Sequence, residues 1–137
     1  SFDFSFPQVK DNLLNVSFSG LKTASLQHWK ALNASEQILR KADLAASFQN
    51  MAVKILVRMI ERAIDASGIK NILLSGGVAC NSELRSQLNH MKISHGINLA
   101  YPSPKYCTDN AAMIAYLADF YLARGISSPL NLDAHAS

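Results

Sequence analysis

The residues best suited to chemistry lie in Ser75-Gly76-Gly77-Val78-Ala79-Cys80-Asn81. Paired glycines let a ligand approach the backbone closely. A helix starting at Asn81 would aim free N–H groups and a partial positive charge at an anion. Asn81 could hydrogen-bond a nucleoside hydroxyl or base. The plainer reading is a tight turn with Asn81 as N-cap, and the residues alone leave both open. Neither G-x-G-x-x-G nor a Walker A motif is present, so this is not an ordinary dinucleotide or P-loop site.

Cys107-Thr108-Asp109-Asn110 is the second candidate. Asp109 could ligate a metal or cap the helix that follows, and one carboxylate is not a metal site by itself. Ser19-Gly20-Leu21-Lys22 matches the S-x-x-K of penicillin-recognising serine enzymes, and Thr108-Asp109-Asn110 resembles their S-D-N. Their K-T-G is absent, since Lys22-Thr23-Ala24 is only a near match in the wrong place. The chain is also too short for that fold. His28, His90, His95 and His135 show no H-x-x-x-H spacing. His90 and His95, five apart, would not share a helix face, so the histidines read as surface residues. Cys80 and Cys107 flank the candidate site. They could pair on a metal, but small buried apolar residues are the commoner use.

The elements that would position these residues follow from periodicity. Residues 2–6 (Phe-Asp-Phe-Ser-Phe) and 14–18 (Leu-Asn-Val-Ser-Phe) alternate with period two. They predict a β-hairpin around Pro7 and Asp11-Asn12. A helix is expected over 21–32. Residues 34–67 predict a longer helical stretch capped by Asn33 or Ser35, broken near Asp43 and stopped by Gly68. Its single polar stripe implies burial on most sides. Residues 71–75 and 97–101 read as buried parallel strands joined by a helix over 81–92 with Asn81 as N-cap. A last helix, capped by Thr108 or Asp109, runs to about Arg124. The glycine pair and Asp109 should then share the carboxyl edge of the sheet, where ligands bind in open α/β folds.

The fold class expected is α/β: a C-terminal βαβα unit preceded by a β-hairpin and long helices. The segments are 1–33, 34–68, 69–126 and a loose tail over 127–137, all parts of one incomplete domain. The C-terminal unit supplies only two parallel strands, and even a three- or four-strand sheet that includes the hairpin is too little for so much apolar helix. The chain is therefore expected to be the C-terminal part of a larger protein, self-associating when isolated or exposing a large apolar patch. The absence of an initiator Met agrees.

Composition narrows the classes. The chain has 137 residues, 49% apolar and 17% charged, which excludes a disordered tail. Apolar runs are too short to cross a membrane, and no secretory signal is visible. Net charge is +3, which permits a polyanionic partner without arguing strongly for one. Two cysteines 27 residues apart form no disulfide framework, so a reducing cytoplasm is the default location.

Three motifs coincide with those of one family. Phe18-Ser19-Gly20-Leu21-Lys22-Thr23-Ala24 resembles the F-S-G-L-K-T segment of the TsaD family, formerly called glycoprotease-like or O-sialoglycoprotein endopeptidases. Gly76-Gly77-Val78-Ala79-Cys80-Asn81 resembles its G-G-V-x-x-N. Residues 107–115, Cys-Thr-Asp-Asn-Ala-Ala-Met-Ile-Ala, resemble its C-T-D-N-x-A-M-I-A. The resemblance implies an actin/Hsp70-like ATPase fold of two RNase H-like halves. It implies transfer of a threonylcarbamoyl group from threonylcarbamoyl-adenylate to N6 of adenosine 37 in tRNA. It places Asn81 at the nucleoside, Gly76 and Gly77 against the adenylate, and Asp109 on a metal, iron or zinc. Other implied partners are an inactive paralogue and an ATPase; no membrane is implied.

The family's H-x-x-x-H metal histidines, its first phosphate-binding glycine loop and the acidic contacts after it are absent here. The isolated chain is therefore expected to be inactive and to hold no metal, with Asp109 acting only as a cap. The acyl donor is a mixed anhydride, already activated, so positioning and charge stabilisation would suffice without a side-chain nucleophile. The competing reading is a non-catalytic scaffold of the same fold, with the serine-acyltransferase reading third.

Overall fold

The computed structural model describes residues 1–6 and 14–133. Among them are helices α1 (Ser19–Lys30) and α2 (Ala34–Ser67), strand β1 (Asn71–Leu73), helix α3 (Ser82–Ser94), strand β2 (Asn98–Ala100) and helix α4 (Ala111–Leu122). Short 3-10 turns occupy Gly77–Cys80 and Pro104–Tyr106.

Helix α2 starts with a capping box. The Glu36 N–H donates to Asn33 Oδ1 at 3.0 Å, and the Asn33 N–H donates to Glu36 Oε2 at 2.9 Å. It ends where Gly68 turns left-handed, at φ +70°. The expected break at Asp43 does not occur. Residues 34–67 contain no glycine or proline, and alanines and leucine around Asp43 favour helix. A capping side chain starts a helix only where the backbone leaves it.

Helices α2 and α3 build the core. Val53 and Ile64 of α2 meet Leu84, Leu88 and Met91 of α3, with Ile97 before β2. Strands β1 and β2 are parallel, with Asn71, Ile72 and Leu73 opposite Asn98, Leu99 and Ala100. Ile72, Leu74 and Leu99 pack against the core. The opposite face is open, and Leu73 is 76% exposed. The strands thus lie on the expected axis with α3 between them, but only one face of the sheet is covered.

The predicted hairpin is not formed. Residues 2–6 and 14–18 contain no strand, and its turn falls outside the described residues. The alternating phenylalanines meet helices instead. Phe2 and Phe4 pack edge-on against the His28 ring, each with centroids 5.3 Å apart. Arg40 lies over Phe2 and Arg58 over Phe6, and the Phe2 N–H donates to Ser47 Oγ. Period two was satisfied by contacts with α1 and α2 rather than by a ladder. His28 is therefore half-buried, whereas His90 and His95 lie on the surface as expected.

Burial on most sides of α2 also fails, since Ile38 and Leu39 are more than 80% exposed. Helix α4 has no buried residue. The expectation of helices covering the sheet is met by α2 and α3 only. Residues 127–133 carry no helix or strand, and 134–137 lie outside the described residues. No helix among the described residues is long and apolar enough to cross a membrane.

Leu88 is fully buried at the α2–α3 contact. Leu88→Ala should cost ~2–5 kcal/mol of stability, read by urea unfolding of the folded protein. A loss below ~1 kcal/mol would show that α3 is not held by this core.

Candidate functional site

The site begins where β1 ends. Gly76 takes φ +84° and ψ 174°, a conformation that side-chain-bearing residues rarely adopt. The chain then closes one 3-10 turn, with the Ala79 N–H donating to the Gly76 carbonyl and the Asn81 N–H to that of Val78, each at 3.0 Å. Ala79 is fully buried beneath this turn. A Cβ on Gly77 would lie 3.9 Å from Thr108 Cγ2. The glycine turn and the Cys107–Asn110 segment are therefore neighbours at the carboxyl edge of the two strands.

Asn81 is the N-cap of α3. Its Oδ1 accepts from the Leu84 N–H at 2.9 Å, and its amide nitrogen donates to Gln49 Oε1 at 3.5 Å. The plain capping reading is therefore realised, with the amide N–H₂ still turned outward toward α2. An apolar groove of about 580 Å³ opens beside it. Trp29, Phe48, Leu56, Val78 and Leu84 line the groove, and Asn81 sits among them.

Asp109 does not cap α4, and neither does Thr108. The N-cap is Asn110, whose backbone is extended at φ −152° and ψ 152°. Its Oδ1 accepts from the Met113 N–H at 3.2 Å, and its Nδ2 donates to the Thr108 carbonyl at 2.9 Å. The helix begins one residue later than expected, because the chain leaves the helical region at Asn110. Asp109 is exposed and, among the described residues, makes no hydrogen bond or ion pair. No group of three or more His, Cys, Asp or Glu is placed to hold a metal among the described residues.

Sequence reasoning missed Arg85. Its Nε donates to the Ala79 carbonyl, and its Nη2 donates to the Pro102 carbonyl at 3.0 Å and to Cys107 Sγ at 3.3 Å. The guanidinium also lies 4.5 Å from the Tyr101 ring centroid, and Asn89 donates to the Tyr101 hydroxyl at 3.0 Å. One side chain thus ties both loops of the site to α3. The available signal was its position four residues after Asn81, because helical side chains lean back over the preceding turn.

The cysteines divide. Cys107 is buried and Cys80 exposed, which corrects the expectation that both are buried. The Cys80 sulfur turns toward the Pro104 carbonyl at 3.6 Å. Loss of water around that sulfur raises its pKa most; its hydrogen bond to Cys107 and the charge of Cys107 raise it further, and Arg85 pulls it down. Ser19 and Lys22, the acyltransferase candidates, are exposed, and the Ser19 hydroxyl pairs with Ser17 at 2.8 Å.

The sequence model of TsaD, described as tRNA N6-adenosine threonylcarbamoyltransferase, matches residues 1–116. The chain belongs to the TsaD family. A relative from Geobacter metallireducens is 47% identical over 134 residues, covering 98% of this chain and 39% of the relative. One from Geobacter sp. strain M21 is 46% identical over 132 residues, covering 96% and 38%. One from Clostridium beijerinckii is 42% identical over 131 residues, covering 94% and 39%. All three are named tRNA N6-adenosine threonylcarbamoyltransferase. The chain spans about two-fifths of the length of these TsaD relatives.

Two outcomes follow from this geometry in a chain of the TsaD family. Arg85→Ala leaves the Ala79 and Pro102 carbonyls without their cationic donor and should cost ~1–3 kcal/mol in urea unfolding. Arg85→Lys should recover part of it, and an unchanged midpoint for Arg85→Ala would show that the clip carries no load. The thiolate is the reactive form of cysteine, so a raised Cys80 pKa means less thiolate at neutral pH. Alkylation of Cys80 by iodoacetamide should keep accelerating above about pH 9, where a free thiol of pKa about 8.5 is levelling off. A plateau near pH 8.5, followed by peptide mass spectrometry, would contradict the raised value.

Proposed function

We propose that this chain is the C-terminal part of a transferase that moves a threonylcarbamoyl group from threonylcarbamoyl-adenylate to N6 of adenosine 37 of tRNA. The observation that carries the reading is the meeting of the glycine turn and the Thr108 segment at one sheet edge, in a chain of this family. The full protein would have the actin/Hsp70-like fold, with this chain forming one wall of its nucleotide cleft.

In this reading the Gly76-Gly77 backbone lies against the adenylate, since no Cβ holds the ligand away. Asn81 spends its carbonyl oxygen on the α3 cap and has amide hydrogens to offer a nucleoside hydroxyl. The start of α3 favours a negatively charged phosphate. Asp109 is one ligand of an iron or zinc ion whose other ligands come from elsewhere in the full protein. Its exposure and its freedom from capping suit that role. When bound, such an ion polarises carbonyl or phosphate oxygens as a Lewis acid. The partners of the full protein would be tRNA, the inactive paralogue and the ATPase, in the cytoplasm.

The test is a chimera in which this chain replaces the matching stretch of the Geobacter metallireducens relative. Threonylcarbamoyladenosine in tRNA is measured by nucleoside mass spectrometry, with bound metal and melting temperature in parallel. The chimera should form the modified base. Asp109→Asn should leave melting unchanged, because Asn110 is the cap. Activity should fall by more than about 100-fold, beyond the loss from an outer-shell partner of a metal ligand. A folded chimera with no activity would favour the scaffold reading. Full activity and metal in Asp109→Asn would remove Asp109 from the metal site.

A further inference from the structure

The two thiols meet at one short stretch of chain. Cys80 Sγ lies 3.6 Å from the Pro104 carbonyl oxygen. Cys107 Sγ lies 3.6 Å from the carbonyl oxygen of Ser103 and 3.7 Å from that of Pro102. Arg85 Nη2 donates to the same Cys107 sulfur at 3.3 Å, while its Nε donates to the carbonyl of Ala79, the residue before Cys80. One thiol is open to solvent and the other is 4% exposed, so a dissolved reagent reaches Cys80 first. They are held by different loops, one leaving β1 and the other following β2. A bond between them would therefore join the two sides of the site. Neither cysteine is needed for the transfer reading above.

We propose that Cys80 and Cys107 form a reversible thiol–disulfide pair, a modification site that locks the glycine turn to the segment before α4. The oxidant is a hydroperoxide. The thiolate fraction of Cys80, kept small by its raised pKa, attacks the outer oxygen, and the leaving oxygen takes up a proton, giving a sulfenic acid and an alcohol, or water from hydrogen peroxide, in a step that quickens as the pH rises. The Cys107 sulfur then attacks the Cys80 sulfur, forming the S–S bond and expelling water. Two thiols lose two electrons and two protons, and the peroxide O–O bond accepts them. A small dithiol reverses the reaction. Closing the bond turns a contact of two loops into a covalent loop, and it replaces the thiol that Arg85 now touches. The Pro104–Tyr106 turn should then be unable to separate from the Gly77–Cys80 turn.

The experiment exposes the folded chimera to hydrogen peroxide, blocks remaining thiols, digests without reductant and maps peptides. The expected product is a Cys80–Cys107 linked peptide, lighter than the two free peptides by two hydrogens and removed by dithiothreitol. In urea the same treatment should lose this selectivity and scatter oxidation over other products. Cys107→Ser should stop the reaction at a Cys80 sulfenic acid, which dimedone traps. Should that variant not fold, Cys80→Ser decides: its buried Cys107 should stay unmodified under the same peroxide. Oxidation of Cys80 to sulfinic acid in the unsubstituted chimera, with Cys107 still free, would overturn the proposal. So would a Cys80–Cys80 linkage between molecules. These readouts do not involve tRNA modification, so they fail or succeed separately from the transferase reading.

Discussion

The edge of the sheet is held by the Arg85 guanidinium. The strands are three residues each, too short to fix the loops beyond them through their ladder alone. Arg85 reaches from the first turns of α3 to the carbonyls of Ala79 and Pro102 and to the Cys107 sulfur. A planar cation with a fixed fork of donors can serve acceptors on two loops at once. Without it, the glycine turn and the Cys107 segment would rest on the Gly77–Thr108 approach and a few weak sulfur contacts. The side chain is half-buried, so these bonds are partly shielded from water.

Beneath that clip lies a narrow core. Helix α2 is long because both its ends are specified, by the Asn33–Glu36 box and by Gly68. Only part of its length meets α3. The remainder, with α4 and the outer face of β1, presents apolar side chains to solvent, among them Ile38, Leu39, Leu73 and Tyr116. An apolar surface of this kind is unusual on a self-sufficient domain. It fits a chain that spans about two-fifths of its relatives.

Much of the site was legible from local chemistry. Gly76 sits at a positive φ, and Asn81 caps α3, because each responds to its own few neighbours. Paired glycines after an apolar run and an Asn before a helical pattern carry that information directly. The hairpin was misread because period two records only that alternate residues are buried. Phe2, Phe4 and Phe6 found α1 and α2 as partners, a contact between residues far apart in sequence. Asn110 displaced Thr108 and Asp109 as cap because three adjacent residues could each do it. The choice fell to the backbone path leaving the Pro104–Tyr106 turn.

The sequence by itself determined both ends of α2 and the cap that starts α3, the order of the βαβα unit and the family. Helix caps, glycine turns and strand runs are set by interactions within a few residues, and family motifs are short contiguous strings. The tertiary structure alone decided that Thr108 lies against Gly77, that Arg85 joins both loops, and that Cys80 is open while Cys107 is buried. Each of these pairs residues from separate loops. Their approach depends on the packing of α2 and α3 and on the parallel register of β1 with β2, a balance of contacts across the whole chain that no local spacing encodes.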